Sequence, residues 1–285
     1  MAATARHPAR VLSIAGSDSG GGAGIQADIK AFARAGVHGM TAITAITAQS
    51  TVGVASVHPV PPETIVAQVR AVAEDIGVDA VKIGMLGDVP TIEAAERALE
   101  LLAGAPVVLD PVMVAESGAA LLEPAARRAL VERLVPRAAV VTPNVSEAHE
   151  LLVAASEAPR DDPESDTQAL ARAVHALGPG AVVVTGGHAP TGADVFFDGE
   201  RLVEIGGERH PDGAAHGSGC THSSTLAARL ALGDDPLEAA RAAKAVASAA
   251  VRDGLREIGH GAGPVDVLGV GRSRSGAASG RAKPV

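Results

Sequence analysis

The feature that most constrains the fold of this chain is its regular alternation of short apolar runs with longer segments of helical periodicity. Apolar runs occur at residues 10–15, 80–83 and 106–109, whereas residues 63–76 and 91–102 carry apolar side chains at helical spacing. Strands that alternate with helices form parallel sheets with helices on both faces. The sequence therefore predicts an α/β fold of three layers around a central, mostly parallel sheet.

Composition and charge narrow the classes of function. The net charge of -9 at pH 7 argues against a nucleic-acid-binding surface, which needs a clustered basic stripe. No apolar stretch approaches the ~20 residues of a membrane-spanning helix, and residues 1–10 lack a secretory pattern. The single cysteine excludes an internal disulfide framework. We therefore expect a cytoplasmic protein with no nucleic-acid and no membrane partner.

The alternating pattern also predicts the domain organisation. It runs through residues 1–270, which we expect to form one domain. Residues 156–167 are polar and charged, but the alternation resumes directly after them, so they are interpreted as a surface loop. Residues 271–285 are rich in Gly, Ser, Ala and Arg, which predicts a disordered tail.

Ligands of open α/β sheets bind beyond the carboxyl ends of the strands, so the turns after the predicted strands are the candidate sites. The first turn, residues 16–24, is glycine-rich and allows close approach of the backbone to a ligand. Gln49 follows the second strand and can both donate to and accept from a heterocycle. Met85 follows the strand at 80–83 and can cover an apolar ring, although a core methionine is an equal reading.

Oxygen ligands follow two later strands. Asp110 comes directly after the strand at 106–109, where packing explains a carboxylate poorly. Asn144 and Glu147 follow the next strand, and they fit either a helix capping box or the organisation of Mg²⁺ and its waters. Thr185 and Gly187 lie in a further glycine-containing strand end.

The turn at residues 217–220 contains the only cysteine, Cys220, at the start of a predicted helix. Glycines and the unpaired N–H groups of a helix start favour an anion there. Cys220 would sit beside a bound phosphate, where a helix N-terminus lowers a thiol pKa. The alternative is a small buried cysteine with a structural role.

The order and spacing of these turns closely resemble those of the hydroxymethylpyrimidine/phosphomethylpyrimidine kinases of thiamine biosynthesis, members of the ribokinase-like superfamily. The resemblance covers about residues 10–265 and is carried by motifs such as Ala15-Gly16-Ser17-Asp18, Leu109-Asp110-Pro111-Val112-Met113 and His216-Gly217-Ser218-Gly219-Cys220-Thr221. It implies a ribokinase-like αβα fold and Mg²⁺-dependent transfer of the γ-phosphoryl group of ATP. The implied acceptors are 4-amino-5-hydroxymethyl-2-methylpyrimidine and then its monophosphate.

The same resemblance implies a role for each candidate residue. At the pyrimidine it places Gly16, Ala23, Asp28, Gln49, Met85 and Val112. At the nucleotide it places Asp110, Thr142, Asn144, Thr185, Gly187 and Lys244. Glu147 and Asp110 would organise the metal, and the amides of Gly217, Ser218, Gly219 and Cys220 would hold the transferring phosphoryl group. Cys220 would act as general base, and we expect a homodimer.

The sequence leaves three other interpretations of the function open. A pyridoxal or pyridoxine kinase would share the fold and the cysteine turn and differ in its acceptor. A cysteine hydrolase or redox enzyme would use Cys220 with His216, His222 or Asp212, although His222 is poorly spaced along a helix to face the thiol. A catalytically silent nucleotide sensor is the third reading.

Overall fold

The computed structural model describes residues 7–102, 104–156, 166–186 and 192–271. Its centre is a nine-stranded sheet in the order β3-β2-β1-β4-β5-β6-β7-β8-β9. The strands are β1 Arg10–Asp18, β2 His38–Ser50, β3 Gly53–Pro59, β4 Ala80–Ile83, β5 Val107–Leu109, β6 Val140–Val141, β7 Val182–Val184, β8 Asp194–Phe197 and β9 Leu202–Ile205. The strands from β2 to β7 in this order pair in parallel, whereas β3, β8 and β9 are antiparallel. The prediction of a mostly parallel sheet is confirmed.

Helices cover both faces of this sheet. They are α1 Gly24–Ala35, α2 Pro62–Asp75, α3 Val89–Leu99, α4 Pro124–Arg133, α5 Val145–Ser156, α6 Thr167–His175, α7 Ser218–Ala231 and α8 Pro236–Arg252. Successive strand residues point to opposite faces, so Val81 packs in the core with α2 to α6 and Ala80 in the core with α1, α7 and α8. The arrangement is the predicted three-layer α/β fold.

The first two strands are longer than the apolar pattern indicates. The sequence ends them near residues 15 and 47, but β1 continues to Asp18 and β2 to Ser50. β2 is extended because it pairs with the antiparallel edge strand β3, with Gln49 opposite Val54. β1 is extended because Asp18 in turn pairs with Thr47 of β2. Gln49 therefore projects from a strand and does not lie in a turn.

Two predicted irregular segments fall outside the described part of the chain. Residues 157–165 cover most of the predicted surface loop, and residues 272–285 cover all but the first residue of the predicted tail. Both stay predictions. None of the helices in the described ranges combines the length and the apolar character that a membrane span requires.

Candidate active site

A cavity of about 400 Å³ opens among the turns that follow the carboxyl ends of the parallel strands. It brings together residues that lie far apart in the sequence, as the strand-end rule predicts. The predicted site residues that line it are Gly16, Ala23, Gln49, Met85, Asp110, Val112, Thr142, Asn144, Glu147, Thr185, Gly217, Ser218, Gly219, Cys220 and Lys244. Gly187 lies outside the described residues.

Asp28 is the predicted site residue that the structure places elsewhere. Its side chain is fully buried and does not line the cavity. Its oxygens accept from Lys82 Nζ at 3.0 Å and from the hydroxyls of Ser13 and Ser224, each at 2.6 Å. The correction has a physical reason: α1 packs its inner face on β1 and α7, and this polar cluster joins α1 to β1, β4 and α7. Asp28 thus supports the wall of the cavity from behind.

The turn before α7 has the geometry that the glycines predict. Gly217 is the N-cap of α7 with φ 86°, a left-handed conformation suited to glycine. An added Cβ there would also lie 1.8 Å from the Gly22 carbonyl oxygen, so no side chain fits. The Ser218 N–H, predicted to face the ligand, instead donates to the Ala215 carbonyl oxygen at 2.9 Å because the turn closes on itself there. The N–H groups of Gly219 and Cys220 are therefore the ones that can meet an anion in the cavity.

The expectation of a lowered thiol pKa at Cys220 is wrong for this structure. Burial raises the pKa of Cys220 to about 12, and nearby Asp28 and Asp110 act in the same direction. The Lys82 ammonium and the Gly24 amide oppose the rise without overcoming it. The Cys220 side chain is half-buried where it lines the cavity, and its partial desolvation beside the Asp28 and Asp110 carboxylates outweighs the effect of the helix N-terminus. The resting group is a thiol.

Lys82 is a functional candidate that sequence reasoning missed. It is fully buried in β4, with its ammonium 3.0 Å from Asp28 Oδ1 and 3.9 Å from Asp110 Oδ2. Burial disfavours its charge, but the Asp28 and Asp110 carboxylates raise the pKa of Lys82, so it stays cationic. The available signal was a lysine inside a strand whose other residues are apolar.

Glu147 and Asn144 form the capping box that the sequence left as an alternative to metal organisation. The Asn144 N–H donates to Glu147 Oε2 at 2.9 Å, and the Glu147 N–H donates to Asn144 Oδ1 at 2.8 Å. Burial and the neighbouring Asp110 raise the pKa of Glu147 to about 8. Burial also raises the pKa of Asp110, although Lys82 opposes it. Two carboxylates that repel each other at a cavity wall suit a cation between them.

The donor set fits Mg²⁺ shared with phosphates better than a metal held by protein alone. Among the described residues, no group of three or more His, Cys, Asp or Glu side chains converges on one point. Mg²⁺ usually takes one or two carboxylates together with substrate phosphates and waters. Asp110 and Glu147 satisfy that requirement.

The far end of the cavity contains a charged network around Asp194, which sequence reasoning also missed. Asp194 Oδ1 accepts from Lys244 Nζ at 2.7 Å and from the Gly186 N–H at 2.9 Å. Its Oδ2 lies 3.3 Å from His222 Nε2, but neither atom makes a well-aligned hydrogen bond. Burial works against the charge of Asp194, yet His222 and Lys244 keep its pKa below the ordinary value. Lys244 is thus held at the cavity wall.

The fold and this cavity define a class, the ribokinase-like small-molecule kinases. Among solved structures, the chain is similar to pyridoxal kinase from Bacillus subtilis in an ADP complex, with 38% identity, TM-score 0.82 and coverage of 93% of this chain and 99% of the other. It is also similar to pyridoxal kinase from Staphylococcus aureus in complex with pyridoxal, with 33% identity, TM-score 0.82 and coverage of 92% and 94%.

The sequence comparisons identify a single family within this class. The phosphomethylpyrimidine kinase family model matches residues 18–266. The hydroxymethylpyrimidine/phosphomethylpyrimidine kinase of Rhizobium meliloti (strain 1021) is 49% identical over 257 residues, which cover 89% of this chain and 95% of the relative. The chain belongs to the phosphomethylpyrimidine kinase family, as its strand-end motifs indicate.

Proposed function

We propose that this protein transfers the γ-phosphoryl group of ATP to the hydroxymethyl group of 4-amino-5-hydroxymethyl-2-methylpyrimidine, and then to the resulting monophosphate, in thiamine biosynthesis. The observation that carries the proposal is one cavity in which an anion-favouring helix start, a thiol, paired carboxylates and a cavity-facing lysine meet. Membership of the family supports the same chemistry. Phosphoryl transfer needs mainly positioning and charge stabilisation, which this arrangement supplies.

The pyrimidine would lie against the wall formed by Gly16, Ala23, Gln49, Met85 and Val112. The Met85 sulfur lies 3.0 Å from the position of a Cβ built on Gly16, so the glycine leaves the thioether free to cover a ring. The Gln49 side chain has its Oε1 3.1 Å from the Thr47 hydroxyl, which orients the amide. An amide donor and acceptor suit the ring nitrogen and amino group of an aminopyrimidine.

The phosphates would bridge the two ends of the cavity. The amides of Gly217, Gly219 and Cys220 would hold the transferring group, since the Ser218 amide already donates to Ala215. Lys244 with Thr142, Asn144, Thr185 and Gly187 would hold the nucleotide. Asp110 and Glu147 would hold Mg²⁺, which when bound neutralises the negative charge of the phosphate chain.

Cys220 would take the proton of the hydroxymethyl group. The resting thiol must lose its own proton first, and the Lys82 ammonium and the Gly24 amide are the groups that favour the thiolate. Lys82 would therefore act on the reaction through Cys220. Because proton loss is costly here, we expect the first phosphorylation to be faster at alkaline pH.

Two further expectations belong to this proposal. We propose that the protein acts as a homodimer in the cytoplasm. Size-exclusion chromatography with light scattering tests the first of these, since a monomeric mass across working concentrations would contradict it.

The decisive assay offers ATP and Mg²⁺ with three acceptors separately: the pyrimidine alcohol, its monophosphate, and pyridoxal. Products are identified by mass. The proposal expects the monophosphate from the first and the diphosphate from the second, with pyridoxal turned over less efficiently. A higher kcat/KM for pyridoxal would favour the pyridoxal kinase alternative, and no product from any acceptor would overturn both.

A further inference from the structure

A buried carboxylate, Asp18, holds the glycine loop at the end of β1. Its Oδ1 accepts from the Gly20 N–H at 2.7 Å, and its Oδ2 accepts from the N–H groups of Gly22 and Ala23 at 3.0 and 2.9 Å. The side chain is 3% exposed. These bonds fix the loop internally, but they do not by themselves fix its position relative to α7.

The link to α7 is His216, which directly precedes the turn at residues 217–220. Its Nε2 lies 2.9 Å from Asp18 Oδ2, and both side chains are buried. A carboxylate only accepts, so Nε2 carries the proton of this bond. The His216 backbone is also fixed, because it pairs with Gly263 and Val265 of the segment after α8. His216 therefore ties three chain segments together.

The loop and the turn are in direct van der Waals contact at this link. A Cβ added to Gly22 would lie 2.0 Å from the His216 ring, and one added to Gly217 would lie 1.8 Å from the Gly22 carbonyl oxygen. Real Cβ atoms essentially never approach other heavy atoms within 3.0 Å. Any added atom at this contact would push the loop away from the turn.

We propose that Asp18 and His216 form a positioning clamp that holds the glycine loop after β1 against the turn at residues 217–220 and so sets the environment of Cys220. Cys220 lies in the first turn of α7, three residues after Gly217, and its side chain is half-buried. Displacement of the loop from the turn would therefore change the access of reagents to this thiol. The clamp acts through Cys220 and touches no reacting atom. The proposal extends the proposed function, since it concerns the same cavity.

The test uses His216→Leu, which removes the donor, and His216→Gln, which returns an N–H at similar reach. Because Cys220 is the only cysteine, its alkylation rate with iodoacetamide reports the clamp without any turnover. We expect His216→Leu to raise that rate at least fivefold and to lower kcat at least tenfold, with the KM for ATP changed less than twofold. His216→Gln should return both quantities most of the way to the wild-type values.

A matched control distinguishes a specific effect on Cys220 from a general loss of stability. Val183→Ala lies in the buried core of β7 and should lower Tm while leaving alkylation and kcat near the wild-type values. If His216→Leu does not fold, Gly22→Ala opens the same contact while keeping the His216 side chain, and it should raise the alkylation rate likewise. Alkylation within twofold of wild type in the clamp variants, or an equal change in Val183→Ala, would overturn the clamp. Failure of the proposed function would instead appear as wild-type protein that phosphorylates no pyrimidine.

Discussion

Under the proposed function, the cavity has an acceptor end at the glycine loop after β1 and a nucleotide end around Glu147, Asp194 and His222. These two ends differ in how completely the polar groups of their walls are satisfied by hydrogen bonds. At the acceptor end, Asp18 and Asp28 are buried and each accepts several hydrogen bonds. At the nucleotide end, burial and Asp110 raise the pKa of Glu147 to about 8. In the same region of the described chain, Asp194 Oδ2 and both ring nitrogens of His222 make no hydrogen bond.

This difference shows which part of the site the chain completes by itself. Buried polar groups normally have partners, and exceptions often mark functional positions. If the proposed function holds, the acceptor would bind beside groups whose hydrogen bonds are already made, so its binding would need little rearrangement there. The nucleotide end keeps charge that a ligand can complement, as expected where Mg²⁺ and phosphates would enter.

The largest effect is expected at Cys220, where the two ends meet. Cys220→Ala should lower kcat of the first phosphorylation by about 10²–10⁴-fold, the usual contribution of a positioned general base. ATP affinity should not change, because the nucleotide end is untouched. Steady-state kinetics with a nucleotide titration checks both quantities, and a wild-type kcat would remove Cys220 from the mechanism.

Removal of the Lys82 ammonium tests the preorganised end through stability. Lys82→Met should lower the free energy of unfolding by about 3–5 kcal/mol, because it leaves Asp28 as a buried, unpaired charge. Arg10→Met is the matched control, since its pair with Asp79 is partly exposed and should contribute about 1 kcal/mol or less. Denaturant unfolding measures both variants. Equal losses would show that the Lys82 pair is not a special support of the site.

The pH dependence of catalysis follows from the raised pKa of Cys220. With that pKa at about 12, the thiolate fraction grows about tenfold for each pH unit below it. The kcat/KM of the first phosphorylation should therefore rise from pH 7 to pH 9, and Cys220→Ala should lose this rise. A flat profile in the wild type would contradict the base assignment.

The smallest effect separates the two roles of Glu147. Glu147→Gln keeps an oxygen that accepts the Asn144 N–H, so stability should change by less than about 0.5 kcal/mol. Glu147→Ala loses the box and should cost about 1 kcal/mol. Both variants should need a higher Mg²⁺ concentration for half-maximal activity. Unchanged Mg²⁺ dependence in Glu147→Gln would leave Glu147 with the helix-capping role alone.

Much of the site could be predicted from sequence because it is local. Each strand-end turn carries its own signal, such as the glycines before Cys220 or the Asn144 and Glu147 spacing, and the parallel sheet brings the turns to one edge. The residues that support the cavity wall from behind have no such local signal in the sequence. Asp28 resembles an ordinary helix acid until Lys82, 54 positions away, is placed beside it.

The charge interactions inside the cavity wall could not be predicted from the sequence either. Asp18 and His216 are 198 positions apart, and nothing local connects them. The thiol pKa was predicted in the wrong direction because a helix start is visible in the sequence, whereas the desolvation around Cys220 depends on packing of several elements.

The contrast between the two ends is tested most directly by amide hydrogen exchange, followed residue by residue by NMR with and without Mg²⁺ and ADP. In the free protein, the amides of Gly20, Gly22 and Ala23 should already be protected, because each donates to Asp18. Nucleotide should then increase protection around Thr142 to Glu147 and at Gly186, and change the loop little. If the three loop amides exchanged freely until nucleotide was added, the acceptor end would not be preorganised and the account would be contradicted.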